Sequence, residues 1–253
     1  INLILETEAL SVDSQAKEVT LATGKILPYD KLLIATGGRP RKLEIDGSSL
    51  SGIHYLRTIS DVDLIRKQMN ESQHLVIVGG GYIGLEVASV AVKKGLTVSV
   101  LEMEDRVLER VTTEEMSAFY DKLHSDQGVK ILTSTRATSF EGEERVEAVV
   151  CGSQSITADL VIVGIGILPN IEIAESANLA VDNGIVVNER CMTSDEHIFA
   201  AGDCTNHPNP LLGRRLRLES VPNAMEQSRV AASNMLGGDK IYAAMPWFWS
   251  DQY

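Results

Sequence analysis

Gly79, Gly81 and Gly84 stand in G-x-G-x-x-G spacing, and Glu102 lies 23 residues beyond Gly79. Glycines contribute room rather than reactive groups. Gly79 permits a tight turn, Gly81 lets a backbone approach a pyrophosphate, and Gly84 lets a helix pack close to a strand. A carboxylate at Glu102 can accept hydrogen bonds from both hydroxyls of an adenosine ribose. It would repel a 2′-phosphate, and Met103-Glu104-Asp105 adds further negative charge. NAD is therefore favoured over NADP. Arg106 is the one nearby cation, and pairing with Glu102 or Glu109 is its plainest role.

Such a motif has meaning only between the right elements. His74-Leu75-Val76-Ile77-Val78 reads as a short buried parallel strand. A helical run to Lys94 follows, with apolar Ile83, Val87, Val90 and Ala91, and Gly95 stands where a helix stops. Thr97 to Leu101 is a second strand that delivers Glu102. The helix N-terminus offers N–H groups and a positive dipole end to phosphates.

The chain has 253 residues, enough for two domains, with 44% hydrophobic and 23% charged residues. Its net charge of −12 argues against nucleic acid or an anionic membrane as partner. No apolar run approaches the roughly 18 residues of a membrane span. Cys151, Cys191 and Cys204 are widely spaced, without a CxxC pair or a metal-ligand cluster, so reduced thiols in a cytoplasm are expected. Ile1 opens an apparent strand, and the chain closes on an aromatic segment, Trp247-Phe248-Trp249-Ser250-Asp251-Gln252-Tyr253. A fragment of a longer protein is the expectation.

Residues 1 to 34 are expected to be β-structure: Asn2 to Val12, Lys17 to Leu21, and Ile26 to Ile34 after a turn at Ala22-Thr23-Gly24-Lys25. Asp46 to Gly52 reads as a crossing between domains, and Ser60 caps a helix to Met69. Thr113 to Ser125 is amphipathic, Val129 to Leu132 is a strand, and Ala137 to Phe140 pairs with Arg145 to Val150. Ile171 to Ser176 is a short helix, Gly184 to Asn188 a strand, and His197 to Ala201 a strand entering Gly202-Asp203. An aspartate there sits at the carboxyl end of a sheet, where ligands bind. Pro222 then opens a helix to Leu236 as its first residue.

One pattern occurs twice. Asp30 to Pro40 and Asp159 to Pro169 both read D-x-Φ-Φ-Φ-(A/G)-x-G-x-x-P, with Φ apolar. Each is expected to be the closing strand of a dinucleotide domain. With two closures and one complete glycine fingerprint, a second fingerprint is expected before Ile1.

The stretches Leu33 to Arg41, Gly79 to Glu86, Val163 to Gly166 through Pro169-Asn170, Phe199 to Cys204, and Pro246 to Gln252 together carry a family likeness. The chain resembles, over nearly its whole length, the pyridine-nucleotide-dependent flavoprotein reductases of the glutathione-reductase class. It is most similar to the NADH-dependent ferredoxin reductases of oxygenase and cytochrome P450 electron chains, the putidaredoxin reductase and biphenyl dioxygenase ferredoxin reductase type. The resemblance implies an α/β fold of two dinucleotide domains, with parallel sheets and inserted antiparallel β-meanders. It implies a truncated FAD-binding part at 1–46, an NAD-binding domain at 47–167, a second FAD-binding part at 168–245, and the start of a C-terminal interface domain at 246–253.

By the same resemblance, Thr36, Gly37, Arg39, Arg41, Gly202 and Asp203 would hold FAD, with Val221 and Pro222 at its pyrimidine edge. Gly79, Gly81, Tyr82, Ile83, Gly84 and Glu102 would hold NAD(H). Glu86 would bind the nicotinamide carboxamide, and Gly164, Ile165 and Gly166 would flank the nicotinamide. Trp247 and Trp249 would lie near the redox centre, or serve as core aromatics of the next domain. The implied reaction is hydride transfer from NADH to FAD, then single electrons to a [2Fe-2S] ferredoxin, with no catalytic acid, base or metal from the protein. Arg214, Arg215 and Arg217, the densest basic cluster on an acidic chain, would either help dock an acidic ferredoxin or form a solvated loop. A rubredoxin reductase, an NADH oxidase or a nitrite-reductase flavoprotein subunit would share most of these motifs. So would an NADH-sensing protein of the apoptosis-inducing-factor kind, or a bare NAD-binding module.

Overall fold

The computed structural model describes residues 1–70 and 73–253. The chain forms two compact units: Ile1–Arg39 with Leu168–Trp249, and Pro40–Ile167 with Ser250–Tyr253.

The first unit opens with an antiparallel meander of β1 (Ala9–Asp13), β2 (Glu18–Leu21) and β3 (Ile26–Pro28). β4 (Leu32–Ile34) belongs to a different sheet, and β5 (Gly38–Pro40) leads out of the unit. Two expectations need correction. Asn2 to Glu8 is not a strand: Ile1, Leu3, Ile4 and Leu5 are exposed, and alternation without a surface to bury against does not fix a strand. Ile26 to Ile34 is two strands rather than one. Pro28 has no N–H for the ladder, and the Tyr29 N–H turns back to the Lys17 carbonyl at 2.9 Å.

In the second unit come β6 (Ile53–Tyr55), α1 (Ile59–Gln68), β7 (His74–Val78), α2 (Tyr82–Lys93) and β8 (Thr97–Leu101). They are followed by α3 (Glu114–Asp126), β9 (Lys130–Leu132), a meander of β10 (Ser139–Glu141), β11 (Ala148–Cys151) and β12 (Gln154–Thr157), and β13 (Leu160–Val163). The sheet is parallel, in the order β6-β13-β7-β8-β9. Its middle strands are apolar on both faces because both are covered. Leu75 and Ile77 pack with Ala88 and Ala91 of α2, while Val76 and Val78 pack with Phe140 and Val149 of the meander.

α1 begins one turn-defining step earlier than expected. Its cap is Thr58, not Ser60: Thr58 Oγ1 accepts from the Asp61 N–H at 3.2 Å, and the Asp61 carboxylate accepts from the Thr58 N–H at 2.7 Å. This reciprocal box satisfies two otherwise orphaned donors. α3 is capped by Thr113, whose side chain accepts from the Met116 N–H.

The first unit resumes with β14 (Ile167–Pro169), α4 (Glu172–Ser176), β15 (Ile185–Val186), β16 (Ile198–Ala200), β17 (Thr205–Asn209), β18 (Arg214–Leu216) and α5 (Val221–Met235). β16 lies parallel to β4, and β17 joins β15 on one side and β18 on the other. β17 and β18 were not expected as strands. The sequence Thr205-Asn206-His207-Pro208-Asn209 looks like a polar loop, yet Thr205, Asn206, His207 and Asn209 are buried. Pro222 is the second residue of α5 rather than its first, behind the Ser220 cap, which accepts from the Asn223 N–H at 3.3 Å. Among the described residues, no helix is long and apolar enough to cross a membrane.

His207 is 1% exposed, neither ring nitrogen has a hydrogen-bond partner, and its ring meets Tyr242 edge-on at 5.0 Å. Burial, reinforced by the Arg215 charge, lowers its pKa from 6.5 to about 4. Between those values the unfolded chain holds a proton that the folded chain does not. Stability therefore falls as pH drops from about 6.5 to about 4 and levels off below. Thermal melts across this window should show a fall in Tm that is shallower in His207→Phe than in the parent. Equal slopes would contradict the assignment.

Candidate dinucleotide-binding site

The register of the parallel sheet builds one edge of the second unit. Val78 stands opposite both Leu101 and Val163, so β7, β8 and β13 end level. Gly79, Glu102 and Gly164 follow those three residues directly. Sequence positions far apart thus converge at the carboxyl end of the sheet, where ligands of open α/β sheets bind.

Two of the glycines are enforced by the protein itself. Gly79 has φ +114°, and a β-carbon on it would lie 2.3 Å from the Gly164 carbonyl oxygen. A β-carbon on Gly84 would lie 2.2 Å from the Gly79 carbonyl oxygen and 3.2 Å from the Ile77 side chain. Gly81 differs, because a β-carbon there would meet nothing within 4 Å. It is the N-cap of α2, and no side chain caps that end. The front of the helix is open, the arrangement a phosphate requires.

Glu102 is more firmly held than the sequence indicates. Its Oε2 accepts from the Gly80 N–H at 2.8 Å, and its Oε1 from the Glu104 N–H at 2.9 Å. Each oxygen keeps a further lone pair for a hydroxyl donor. Gly80, which the motif leaves as a variable position, is thereby explained: its β-carbon would come within 3.0 Å of Glu102 Oε2 and Val107. No signal in the spacing marks it; only the adjacency of three glycines hinted at it. Arg106 pairs with neither carboxylate. Its guanidinium donates to the carbonyls of Glu109 and Thr112 and to Ser117 Oγ, tying the loop to the start of α3.

Of the remaining expected residues in this unit, Tyr82, Ile83 and Glu86 lie in the first turns of α2. Glu86 Oε1 accepts from Ser250 Oγ at 2.6 Å. Ile165 and Gly166 continue from Gly164; Gly166 has φ +97°, and its carbonyl accepts from the Arg41 N–H at 2.9 Å. The Arg41 side chain is exposed.

In the first unit, the Ile34 carbonyl accepts from the Ala201 N–H at 3.1 Å, which brings the ends of β4 and β16 together. Thr36 and Gly37 follow one strand, and Gly202 and Asp203 follow the other. Asn170 laces the first of these turns: its side-chain N–H donates to the Thr36 carbonyl at 2.9 Å, and its N–H to the Gly37 carbonyl at 3.0 Å. Arg39 donates to Asn170 Oδ1 at 2.6 Å and pairs with Glu172 at 2.7 Å, half-exposed, so the ion pair adds little stability. Gly202 has φ +87° and donates its N–H to buried Gln227 at 2.7 Å, a contact that sequence reasoning missed.

Val221 is exposed and Pro222 buried at the start of α5. Trp247 and Trp249 are exposed, with ring centroids 5.8 Å apart. Arg214 and Arg215 stand on β18, both exposed, and Arg217 follows it outside the strand. Arg215 donates to Asn206 and to the Val187 carbonyl, and Arg217 pairs with Glu219 at 2.6 Å. Cys191 and Cys204 are buried free thiols; burial pushes Cys191 up to about 12 and raises Cys204 as well. Neither is poised as a nucleophile.

Residues 1–228 match the pyridine nucleotide-disulphide oxidoreductase family. The chain belongs to that family. It is 46% identical to putidaredoxin reductase of Pseudomonas putida over all of this chain and 62% of that protein. It is 40% identical to a rubredoxin-NAD(+) reductase of Ectopseudomonas oleovorans, over 99% of this chain and 66% of the relative. Among solved structures, the ferredoxin reductase for the CYP199A2 system of Rhodopseudomonas palustris superposes with a TM-score of 0.96 at 40% identity, covering 100% of this chain and 63% of that one. The chain thus spans less than two thirds of the length of putidaredoxin reductase and of that ferredoxin reductase.

The two kinds of glycine should respond differently to substitution. Gly84→Ala forces a backbone clash and should lower Tm while abolishing NADH binding. Gly81→Val should leave Tm within a few degrees of the parent and still weaken NADH binding, by about tenfold or more. Parallel thermal melts and NADH titrations check this; unimpaired binding in Gly81→Val would mean that the open helix end is not the phosphate site.

Proposed function

We propose that this chain is the greater part of an NADH-dependent ferredoxin reductase, an oxidoreductase of the 1.18.1 type. The observation that carries the dinucleotide half is the open, uncapped start of α2 beside a carboxylate pinned to its glycine turn. The flavin half is supported by the second closing strand with its own glycine turn and by Asp203 at the end of β16.

When bound, NADH supplies a hydride to FAD, which passes electrons singly to an iron–sulfur protein. The protein's own work is to hold and orient both groups. Gly79, Gly81, Gly84 and the backbone of Tyr82 and Ile83 receive the pyrophosphate of NADH. Glu102 accepts from its adenosine ribose and disfavours a 2′-phosphate, Glu86 accepts from the carboxamide, and Gly164, Ile165 and Gly166 border the nicotinamide. For FAD, the holding residues are Thr36, Gly37, Arg39, Arg41, Gly202 and Asp203. Val221 and Pro222 at the positive end of α5 favour negative charge on the flavin's pyrimidine edge, and Trp249 lies toward the redox centre. Residues 1–46 and 168–245 are then the flavin-binding parts, 47–167 the NAD-binding domain, and 246–253 the start of an interface domain.

A [2Fe-2S] ferredoxin serving an oxygenase or cytochrome P450 is the proposed electron acceptor. Exposed Arg214 is the member of its cluster best able to meet an acidic partner, since Arg215 and Arg217 are engaged within their own unit. Three free thiols suit a cytoplasmic setting.

The purified protein should carry a flavin whose absorption bleaches anaerobically with NADH and recovers on addition of an oxidised [2Fe-2S] ferredoxin. Recovery with rubredoxin alone would move the assignment to a rubredoxin reductase. A colourless protein that binds NADH would reduce it to a dinucleotide-binding module.

A further inference from the structure

The last four residues pack onto the second unit through a continuous line of polar groups. The line starts from Glu86 Oε1, which accepts from Ser250 Oγ at 2.6 Å. A carboxylate can only accept, so the serine proton is committed to it and the serine lone pair faces Gln252 Nε2 at 2.9 Å. The Gln252 amide is thereby oriented, and its Oε1 faces His124 Nε2 at 2.7 Å. His124 must donate from Nε2, which leaves Nδ1 to accept from Tyr253 OH at 2.8 Å. Every bond in the series points toward Glu86.

The far end is anchored. His124 is fully buried in α3, its ring meets Tyr253 edge-on at 4.9 Å, and the Lys93 ammonium lies 5.7 Å from the centre of the Tyr253 ring. Burial lowers the His124 pKa and raises that of Tyr253 to about 12, consistent with both being neutral in this arrangement.

We propose that Ser250, held by the Gln252–His124–Tyr253 series, is a positioning residue that fixes the Glu86 carboxylate with Oε1 occupied and Oε2 left to accept from the carboxamide of a nicotinamide. This rests on the reading of Glu86 given above. Glutamate has three rotatable bonds, and immobilising such a side chain costs rotamer freedom. A hydroxyl already bonded to one oxygen removes part of that cost before the dinucleotide arrives. The series acts on the nicotinamide half alone, because the pyrophosphate and adenosine ribose are met by the glycine turn and Glu102.

The test compares NADH with ADP-ribose, which lacks nicotinamide, by calorimetric titration of the intact protein. Ser250→Ala should weaken NADH binding by about tenfold, the scale of a charge-assisted hydrogen bond. ADP-ribose affinity should stay within about twofold of the parent, which also reports that the unit is folded. Ser250→Thr, which keeps the hydroxyl, should retain parental NADH affinity. In a Glu86→Gln background, Ser250→Ala should add little. If Glu86→Gln shifts the NADH to ADP-ribose ratio while Ser250→Ala does not, the positioning role is overturned and the Glu86 reading stands. If Glu86→Gln leaves the ratio unchanged, the Glu86 reading falls and the proposal falls with it.

Discussion

The architecture of the second unit depends on how closely two backbones approach. The α-carbon of Gly79 faces the Gly164 carbonyl at a distance that leaves no space for a side chain, and Gly84 faces the Gly79 carbonyl in the same way. Hydrogen at these positions lets α2 settle onto β7 and lets the turn after β13 close against the turn after β7. Any β-carbon would push apart the elements whose ends form the site. The glycine pattern is therefore first a packing requirement. The proposed chemical use builds on this packing, because no side chain caps the start of α2.

In the proposed site, Glu102 would link that packing to recognition. Its bond to the Gly80 N–H ties the end of β8 to the glycine turn, so the carboxylate stands at a fixed place beside the helix start. A loosely held glutamate would lose orientation entropy on binding a ribose; this one has already been oriented by the fold. The first unit repeats the theme with different parts. There the turn after β4 is laced by Asn170, and the turn after β16 by Gln227 from α5. The repeated D-x-Φ-Φ-Φ-(A/G)-x-G-x-x-P sequence corresponds to β4 and β13, each followed by a left-handed glycine, Gly37 at φ +62° and Gly166 at φ +97°.

Much of this was legible in the sequence, and the reasons are specific. β7, α2 and β8 were readable because continuous apolar strands and a glycine-bounded amphipathic helix have few alternative structures. The repeat was readable because buried parallel strands repeat their apolar runs. Where reading failed over longer stretches, the deciding factor was tertiary surroundings. Leu3 and Leu5 alternate as a strand would, but nothing covers them. Thr205 to Asn209 is polar and yet mostly buried, with Thr205 bonded to Gln227 of α5 and Asn206 to Arg215 of the neighbouring strand β18. Arg214 and Arg215 are exposed, as a surface cluster would be, but the amide and carbonyl partners of Arg215, Asn206 and Val187, are invisible in the spacing. Thr58 and Ser60 are both acceptable caps, and only Asp61, which completes the reciprocal box, decides between them.

In the proposed site, the carboxylate of Glu102 is the group that reads the adenosine ribose. Calorimetric dissociation constants for NADH and NADPH, measured on the parent and on Glu102→Gln, test it most directly. The parent should prefer NADH by about tenfold or more, and loss of the charge should narrow that preference mainly by improving NADPH binding. A parent protein that binds the two dinucleotides equally, or a preference unchanged in Glu102→Gln, would contradict the account.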